Sequence, residues 1–498
     1  MDKPIVKKVV IAGGGTAGWL AAAALVKQLG GLLDITLVES DEIGTVGVGE
    51  STIPTTRAFH TLIGVDEQAF MRATGSSFKL GIRFEHWGAI GDRYIHSFGT
   101  MGKSTWMADF HHFWLEGRAR SVASELGDYC FELQAARAGK FATGPDAQIS
   151  YAYHLDAVRY ARFLRESCEP AGVRRIEGMI REVRQHPETG FIEALVLDSG
   201  EVVEGDLFLD CTGFRALLIE QTLETGYDDW SHWLPTDSAY VVQTKGTGPA
   251  VPYTKAIAHE AGWRWEIPLQ HRMGNGFVFS SAHMENDTAR AQLLRDIKGE
   301  PLFDPRLIRY RTGGRRQVWN KNCIALGLAS GFIEPLESTS IHLVKIAVTR
   351  LLKSFPFNGF DDALIDRFNH LSRRELEGVR DFIILHYHLT ERDDSAFWRQ
   401  CRTMDIPDSL AQRIALFREN AQAYQDSDEL FRVDSWVQVM LGQRVRPQGY
   451  HHLARMMPPG KLQLALADIK ANIAGAVAKM PAHQEFLDRY CPSAAPDG

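Results

Sequence analysis

The sequence predicts an α/β fold with a Rossmann-like dinucleotide-binding domain, a β-rich insertion and a mainly helical C-terminal region. An apolar, β-branched run at 9–12 stops at glycines and is followed by an alanine-rich stretch at 20–29. That pattern indicates a strand, a tight turn and a helix. Between 215 and 320, short apolar segments alternate with turn residues, which is typical of strands. Beyond Asp361, apolar residues recur at helical spacing.

Length and charge restrict the kind of protein. The 498 residues suit two or three domains, or one large domain with insertions. The net charge of −7 argues against nucleic acid as the main partner. We expect a discontinuous nucleotide-binding domain formed by residues 1–214 and 320–360. A β-rich insertion at 215–319 would interrupt it, and a mainly helical region at 361–498 would follow.

The cysteines and the N-terminal residues indicate the compartment. Six cysteines are scattered at spacings that fit neither a disulfide framework nor a zinc site, which suits a reducing compartment. Residues 9–26 carry no charge and follow three lysines, so they could be mistaken for a signal peptide or a membrane span. Four glycines and a threonine make this stretch a poor apolar helix. We therefore expect a cytoplasmic protein with no membrane segment.

The first predicted strand ends in a G-x-G-x-x-G turn formed by Gly13, Gly15 and Gly18. The first glycine lets the chain turn, the second lets a pyrophosphate approach the backbone, and the third lets helix and strand pack closely. Unpaired N–H groups and the positive end of the helix dipole then face an anion. The next predicted strand, 34–38, is closed by Glu39, which can hold a ribose hydroxyl. The alternative is a glycine-rich turn with no special use.

Three later segments could contribute to this nucleotide site. A glycine-rich loop at 44–54 could let backbone approach a flat ligand, or it could be a plain flexible loop. An apolar strand at 207–210 ends in Asp-Cys-Thr-Gly, and in two-domain flavoproteins such a strand re-enters the first sheet beside the nucleotide. A strand, a loop and a helix at 324–352 place backbone amides near 338–340, where they can hold an anion. Glu337 there could simply interact with the helix dipole.

Two predicted strands carry side chains, Lys79 on one and Trp263 and Trp265 on the other, whose pattern fits either a structural or a functional role. Residues 78–87 alternate cleanly, and the pattern alone predicts that Lys79 is a solvated strand lysine. Trp263 and Trp265 share one strand face, where they could wall a surface or pack in the core. Gly274-Asn275-Gly276 is predicted to form the hairpin turn that follows them.

Other aromatic and histidine residues give weaker signals. A dense aromatic stretch at 106–114 predicts a helix that packs in the core or lines an apolar pocket. His386 and His388 stand two apart, so on a helix they diverge and make a poor metal pair. We expect no metal site.

Taken together, these motifs closely resemble the flavin-dependent tryptophan halogenase family. The nucleotide turn is shared by many flavoproteins, whereas Lys79 in its strand and the W-x-W-x-I-P motif are far more specific. The match spans nearly the whole chain and rests on residues 13–19, 47–51, 78–87, 263–268, 331–339, 380–387, 394–398 and 435–436.

The resemblance implies a GR2-type, flavoprotein monooxygenase-like FAD-binding domain and a C-terminal helical substrate region. It also implies a two-component enzyme, in which a separate flavin reductase supplies FADH2. With O2, the reduced flavin would convert a halide co-substrate to hypohalous acid, which would pass through a tunnel to Lys79. Lys79 would hydrogen-bond the oxidant or carry it as a haloamine, and an indole or similar aromatic carbon would attack the halogen. Glu337 would steady the cationic arenium and accept its proton.

The same resemblance assigns roles to further residues. The expected cofactor-binding residues are Gly13, Gly15, Thr16, Ala17, Gly18, Glu39, Gly49, Ser51, Asp210, Gly327 and Ile341. Thr339 and Ser340 are expected to bind halide through their backbone amides. The expected substrate-pocket residues are His96, Phe98 and Trp436, and those that shield the flavin are Trp263, Trp265, Ile267 and Pro268.

Two alternatives remain open: an FAD-dependent aromatic monooxygenase, which would not require Lys79 or the indole pair, and a non-catalytic flavin-binding protein. Tryptophan-specific members bind the amino acid partly through a tyrosine pair and an acid in the C-terminal region. The corresponding stretch, 431–443, lacks adjacent tyrosines, although Asp434 or Arg432 could still serve. We expect a preference for indole or a larger indole-like compound over free tryptophan. A homodimer is left open.

Overall fold

The computed structural model describes residues 5–43, 49–144 and 148–493. Its contacts divide the chain into two units, each made of three separate segments. The first unit comprises Met1–Gly75, Leu155–His232 and Arg309–Glu377, and the second comprises Ser76–His154, Trp233–Ile308 and Gly378–Gly498. Residues 44–48 of the predicted second glycine-rich loop lie outside the described residues, so the prediction made for them stays a prediction.

Strands are concentrated before residue 333 and helices after residue 339, with helices also placed between the earlier strands. The strands are β1 (Lys8–Ala12), β2 (Asp34–Glu39), β3 (Gly49–Ser51), β4 (Ser77–Lys79), β5 (Gly81–Glu85), β6 (Arg93–Ser97), β7 (Ala152–Asp156), β8 (Arg174–Glu177), β9 (Ile180–Gln185), β10 (Ile192–Leu197), β11 (Val202–Glu204), β12 (Leu207–Asp210), β13 (Tyr227–Asp229), β14 (Ser238–Lys245), β15 (Thr254–His259), β16 (Gly262–Pro268), β17 (Arg272–Phe279), β18 (Arg306–Arg309), β19 (Gly313–Arg315), β20 (Trp319–Asn320), β21 (Cys323–Ala325) and β22 (Gly331–Phe332). The helices are α1 (Thr16–Leu29), α2 (Thr55–Ile63), α3 (Glu67–Thr74), α4 (Phe110–Ala119), α5 (Phe131–Arg137), α6 (Ala157–Cys168), α7 (Asn286–Asp296), α8 (Ser340–Lys353), α9 (Asp362–His388), α10 (Ala396–Thr403), α11 (Asp408–Asn420), α12 (Val433–Gly442), α13 (His452–Met456), α14 (Pro459–Ala478) and α15 (His483–Tyr490).

The first unit is built on a six-stranded sheet in the order β20-β21-β12-β1-β2-β8. Strands β21, β12, β1, β2 and β8 run parallel, and β20 joins the edge antiparallel. The prediction that the 207–210 strand re-enters the first sheet is confirmed, because Val9 pairs with Leu207 and Ala12 with Asp210. The predicted strand–turn–helix at the start of the chain is likewise present as β1 and α1.

Helix α1 packs against α6 and α8. Its residues Gly18 to Leu25 are all buried, which explains a run of alanines: small side chains let neighbouring helices and the sheet approach closely. Behind the sheet, β10 and β11 form the predicted hairpin, with Gly200 at φ +86° in its turn. The parallel sheet therefore has helices packed on it, as expected for a Rossmann-like domain.

The second unit is built on a seven-stranded sheet in the order β18-β14-β17-β16-β15-β5-β6. The neighbouring pairs β14 and β17, β17 and β16, β16 and β15, and β5 and β6 are antiparallel. Strand β15 runs parallel to β5, with Thr254 opposite Ile82. This pairing brings residues 76–154 into the second unit, whereas the predicted division kept them in the nucleotide-binding domain. The partner of β5 lies about 170 residues further along the chain, so no local pattern could reveal it.

The predicted hairpin of the two tryptophans exists, but its turn lies elsewhere. Gly274, Asn275 and Gly276 are inside β17, and the chain reverses at 269–271. A Cβ on Gly276 would lie 2.0 Å from Cζ2 of Trp265, its direct cross-strand neighbour. The prediction of a glycine turn was therefore wrong, because Gly276 makes room for an indole ring.

Helices dominate the chain beyond Asp361, as predicted, beginning with α9. The predicted aromatic helix at 106–114 begins at Phe110 instead, and Trp106 before it is 93% exposed. In the described ranges, no helix combines the length and apolarity needed to cross a membrane. The same residues contain no group of three or more His, Cys, Asp or Glu side chains arranged to hold a metal ion.

Candidate active site

The G-x-G-x-x-G turn has the shape that a pyrophosphate site requires. Gly13 has φ +107°, and a Cβ there would lie 2.4 Å from the carbonyl oxygen of Cys211. A Cβ on Gly18 would lie 1.9 Å from the carbonyl oxygen of Gly13. At Gly15, by contrast, an added Cβ would meet no atom within 4 Å. The backbone is thus tightly packed at Gly13 and Gly18 and open above Gly15, next to the N-terminus of α1.

The carboxylate of Glu39 reaches this turn from the end of β2. Its Oε2 accepts a hydrogen bond from Nε1 of Trp19 at 3.3 Å and would lie 1.5 Å from a Cβ on Gly14. Arg175 and Arg165 form ion pairs with its Oε1. Glu39 is therefore held beside the turn by an indole and two guanidinium groups. No sequence motif indicated a role for Trp19 or for the two arginines in holding Glu39.

Asp210, a predicted cofactor-binding residue, has its carboxylate hydrogen-bonded within its own loop. Its Oδ1 accepts hydrogen bonds from the amide and the hydroxyl of Thr212, at 3.0 and 2.7 Å. Its Oδ2 accepts bonds from the amides of Leu218 and Ile219, at 2.9 and 2.8 Å. A carboxylate offers about four acceptor positions, and all four are used here within its own loop. Asp210 therefore folds the loop that includes Cys211, the neighbour of Gly13.

The N-terminus of α8 follows a 3-10 turn that includes Glu337. Glu337 is 1% exposed, and Ser338 after it has φ +62°. Thr339 is the N-cap residue of α8, yet no side chain caps the helix. The hydroxyl of Thr339 is buried and has no hydrogen-bond partner among the described residues. A helix N-terminus with an unsatisfied hydroxyl is suited to hold an anion.

Other predicted cofactor residues of the first unit lie at the N-terminus of α8 or contact the first turn of α1. The hydroxyl of Ser51 lies 2.6 Å from that of Ser338, which ties β3 to the start of α8. A Cβ on Gly327 would lie 3.0 Å from the Cβ of Ala17, so the loop after β21 contacts the first turn of α1. Ile341 is buried in the first turn of α8.

In the second unit, Lys79 is completely buried. It ends β4, pairs with Ala152 of β7, and has its Nζ 5.3 Å from the centroid of the Phe98 ring. The prediction of a solvated strand lysine from alternation alone was wrong. The strand breaks at Leu80, and Phe78, Lys79 and Leu80 are all 0% exposed, so no face of β4 is solvated.

Two histidines that the sequence analysis missed hold β4 in place. The hydroxyl of Ser77 lies 2.9 Å from Nδ1 of His154, whose Nε2 lies 3.0 Å from the hydroxyl of Thr254. Nε2 of His483 accepts a hydrogen bond from the amide of Phe78 at 3.2 Å. Burial lowers the pKa of His154, and the neighbouring charge of Lys79 lowers it further. Both histidines are therefore uncharged at neutral pH, where they serve as neutral hydrogen-bonding groups.

The predicted substrate-pocket residues belong to one aromatic cluster. His96 lies 5.6 Å from the ring of Phe382 and 6.4 Å from that of Phe431, and these two phenyl rings stack at 3.7 Å. Trp436 meets Phe382 edge-on at 4.8 Å, and its buried Nε1 has no partner among the described residues. Phe382 and Phe431 had been assigned no role, although both lie in stretches singled out from the sequence.

Helix α12 and the residue before it hold the segment that includes Phe98. Arg432 donates a hydrogen bond to the carbonyl of Phe98 at 2.8 Å, and Oδ1 of Asp434 accepts one from the amide of Met101 at 3.1 Å. The side-chain oxygen of Gln438 accepts from the amide of Ser97 at 2.9 Å. Burial raises the pKa of Asp434. Arg432 and Asp434, the two residues considered for binding an amino-acid substrate, are thus hydrogen-bonded to the backbone of Phe98 and Met101.

The W-x-W-x-I-P motif lies in β16, in the same unit. Trp263 and Trp265 are 1% and 6% exposed, with ring centroids 5.7 Å apart. Nε1 of Trp265 is buried and has no partner among the described residues. Ile267 is buried, and the carbonyl of Pro268 accepts a hydrogen bond from the hydroxyl of Ser77 at 2.5 Å. The motif therefore connects directly to the strand that bears Lys79.

Known proteins match this chain along most of its length. The tryptophan halogenase family model matches residues 8–459. The tryptophan 7-halogenase RebH of Lentzea aerocolonigenes is 36% identical over 450 residues, which is 85% of this chain and 84% of that protein. A flavin-dependent halogenase structure from Xanthomonas campestris is 54% identical with a TM-score of 0.98, covering 99% of this chain and 100% of that one. Another, BrvH from Brevundimonas sp., is 44% identical with a TM-score of 0.94, covering 98% and 99%.

These similarities agree with the nucleotide turn, the buried lysine strand and the paired tryptophans described above. The mixed α/β fold with its parallel sheet is that of the flavin-dependent halogenase structures. The chain therefore belongs to the tryptophan halogenase family and is an enzyme of the flavin-dependent halogenase class.

Proposed function

We propose that this enzyme uses reduced FAD, O2 and a halide to halogenate an indole or a similar electron-rich aromatic compound by electrophilic substitution. The observation that carries the proposal is the fully buried Lys79, whose ammonium faces the ring of Phe98 beside a cluster of aromatic side chains. A surface or structural lysine would not need this position, since burying an ammonium is costly.

The first unit fits FAD. The open backbone above Gly15 and the uncapped N-terminus of α1 suit the pyrophosphate, and Glu39 suits a ribose hydroxyl. Thr16, Ala17, Gly49, Ser51, Gly327 and Ile341 complete the proposed cofactor site, with Asp210 as the residue that shapes its loop. When bound, reduced FAD supplies with O2 the oxidising equivalents that turn halide into hypohalous acid.

The chain's own groups would then bind and direct the reactants. We propose that the amides of Thr339 and Ser340 hold the halide at the N-terminus of α8, with the unpartnered hydroxyl of Thr339 as a further donor. The ammonium of Lys79 is a compact donor that can orient a neutral hypohalous acid molecule. A buried carboxylate at Glu337 would steady the cationic arenium and take the proton from its ring carbon.

The substrate would bind through aromatic contacts. We propose that His96 and Phe98 stack on the arene and that Trp436 closes the pocket together with Phe382 and Phe431. Trp263, Trp265, Ile267 and Pro268 would keep the organic substrate away from the flavin. Because Arg432 and Asp434 are engaged with the backbone at 98–101, we propose indole or a larger indole-like substrate in preference to free tryptophan.

Product mass tests the proposal. The protein is incubated with an indole, bromide or chloride, O2 and FADH2 generated by a separate flavin reductase. We expect product with a halogen isotope pattern. A product that has gained a single oxygen atom would favour the aromatic monooxygenase, and the absence of any product across several indoles would favour a flavin-binding protein without catalysis.

A further inference from the structure

A buried arginine lies on the inner face of α11, a helix of the second unit. Arg413 is 7% exposed, and the other buried residues of this helix are Leu410, Ile414 and Phe417. Their spacing marks a single helix face, on which three positions are apolar and the fourth carries a charge. A cation on such a face needs specific partners, because burial removes its hydration. No step of the proposed halogenation uses Arg413.

The polar partners of Arg413 belong to the loop formed by residues 424–429. Its Nη1 donates a hydrogen bond to the carbonyl of Tyr424 at 2.8 Å, and its Nη2 forms an ion pair with Glu429. The amide of Asp426 donates in turn to the second carboxylate oxygen of Glu429 at 3.1 Å. Arg413 therefore ties the two ends of this loop together.

The guanidinium of Arg413 also lies over two aromatic rings. Its Cζ is 3.9 Å from the ring centroid of Tyr424 and 4.4 Å from that of Trp436, a proposed substrate-pocket residue. A guanidinium is planar and weakly hydrated, so it stacks well on aromatic faces. Arginine suits this place because one planar group can bind a carbonyl, a carboxylate and two rings at once.

The ring of Trp436 depends on such contacts for its orientation. A buried indole usually donates a hydrogen bond, but Nε1 of Trp436 has no partner among the residues that the structure describes. Trp436 is 2% exposed and meets the ring of Phe382 edge-on at 4.8 Å, and Phe382 stacks on Phe431 at 3.7 Å. Arg413 thus contacts Trp436 directly and holds the loop that leads to Phe431.

We propose that Arg413 is a positioning residue for the aromatic substrate: it fixes the ring of Trp436 and the loop 424–429, and thereby shapes the wall against which the arene binds. This inference rests on the proposed function, in which Trp436 is part of the substrate pocket. The charge of Arg413 is balanced by Glu429, with Asp426 at 3.9 Å as a second carboxylate. The cation therefore orders the wall without attracting an anionic substrate.

Separate KM values for indole and for bromide test the proposal. They are measured on the full-length protein with FADH2 supplied by a separate flavin reductase. We expect Arg413→Met to raise the KM for indole about tenfold, the effect of losing a desolvated cation–π contact. The KM for bromide should stay unchanged, because the proposed halide site belongs to the first unit. Arg418→Met removes an exposed arginine from the last turn of the same helix and is the matched control.

Two further variants separate positioning from a general loss of structure. Trp436→Leu removes the ring through which Arg413 acts, so in that background Arg413→Met should raise the KM for indole only about twofold or less. Arg413→Lys keeps the charge that pairs with Glu429, but its ammonium is not planar, so the KM for indole should rise as it does in Arg413→Met. Additive effects of the two substitutions, an unchanged KM for indole, or an equal rise in the KM for bromide would overturn the proposal.

Calorimetric titration of indole into the flavin-free protein makes the same comparison without turnover. We expect Arg413→Met to weaken indole binding about tenfold here as well. If Arg413→Met does not fold, Arg413→Lys supplies the test, because it leaves no carboxylate without a cation. Equal indole binding by the unmodified protein and the Arg413 variants would overturn the role of Arg413. Indole binding without any halogenated product from the unmodified protein would instead overturn the proposed function.

Discussion

The Nζ atom of Lys79 lies 5.3 Å from the centroid of the Phe98 ring, and both residues are held by parts of the chain far away in sequence. His483 binds the amide of Phe78 next to Lys79, and Arg432 binds the carbonyl of Phe98. The relative placement of the ammonium and the ring is thus set by the C-terminal helical region. This arrangement fixes the ammonium of Lys79 beside the ring of Phe98.

Replacing Lys79 should separate halogenation from flavin binding. We expect Lys79→Ala to lose halogenated product by at least a hundredfold, because no ammonium orients the oxidant. FAD affinity, measured from flavin fluorescence, should be unchanged, since the nucleotide turn belongs to the first unit. Lys103→Ala, at an exposed lysine of the second unit, serves as the control. Loss of FAD binding together with product would mean that Lys79 is structural.

Two alanine substitutions in the nucleotide turn should have opposite consequences. At Gly15, where φ is −73° and an added Cβ meets open space, alanine should leave thermal stability unchanged and weaken FAD binding at least tenfold. At Gly18, the added Cβ would collide with the carbonyl oxygen of Gly13, so alanine should destabilise the protein itself. Thermal melting and FAD titration distinguish the two. Normal FAD affinity in Gly15→Ala would show that the pyrophosphate does not approach this glycine.

The enzyme should depend on another protein for reduced flavin. The sequence contains one dinucleotide turn, which we assign to FAD, and no second glycine fingerprint for a nicotinamide. Under anaerobic conditions, we expect NADPH or NADH alone to leave bound FAD oxidised. The absorbance of oxidised flavin at about 450 nm measures this. Added flavin reductase should restore turnover. Rapid reduction by NADPH alone would favour the monooxygenase.

Competition between equal concentrations of indole and tryptophan should yield mainly haloindole. A zwitterion needs partners for its carboxylate and its ammonium, and an unmet charge in a buried pocket is costly. Arg432 and Asp434 are already bonded to the segment that includes Phe98. Product ratios by mass spectrometry decide the matter. Predominant halotryptophan would show that other residues form the amino-acid clamp.

Acid should loosen the strand that bears Lys79. Nδ1 of His483 lies 2.7 Å from the carbonyl of Ala250, which it can reach only as a donor, and Nε2 accepts from Phe78. Burial lowers the pKa of His483 to about 4, partly offset by the bond to Ala250. Its unfolded-state pKa is about 6.5, so the unfolded chain binds more protons in this interval. His483 therefore favours the folded state fully above pH 6.5, and this contribution is lost progressively as the pH falls toward 4.

The midpoint of thermal unfolding between pH 7 and pH 4 measures this effect. We expect the midpoint to fall with pH, and to fall less steeply in His483→Gln, which cannot be protonated. Equal slopes in the two proteins would contradict the assignment of His483 as a neutral hydrogen-bonding group.

Short sequence motifs correctly predicted several elements of the fold. The turn at Gly13 to Gly18, the re-entry of β12 and the hairpin of β10 and β11 all follow from short motifs, and the structure has each of them. The burial of Lys79 does not follow from such a pattern, because β4 pairs with β7 and the neighbouring Phe78 is bonded to His483, both far along the chain. The same limit explains the different unit boundaries, which depend on the pairing of β5 with β15.

Chemistry inside a motif was equally hard to predict. Asp210 stays a predicted cofactor residue, but its hydrogen bonds to residues 212–219 were not predicted. Hydrogen-bond saturation depends on the path of the following loop, which residue types alone do not specify. Gly276 was interpreted through its turn propensity, whereas packing against a ring determined its identity.

The close contact between Trp265 and Gly276 should constrain which residues the two positions can carry together. The indole occupies the space where any side chain at 276 would project, so neither residue can be exchanged alone without a collision or a void. A relative with a smaller residue at position 265 would have room for a larger one at position 276. We therefore expect these two positions to covary across the family, so that the side chains of β16 and β17 together fill the same space.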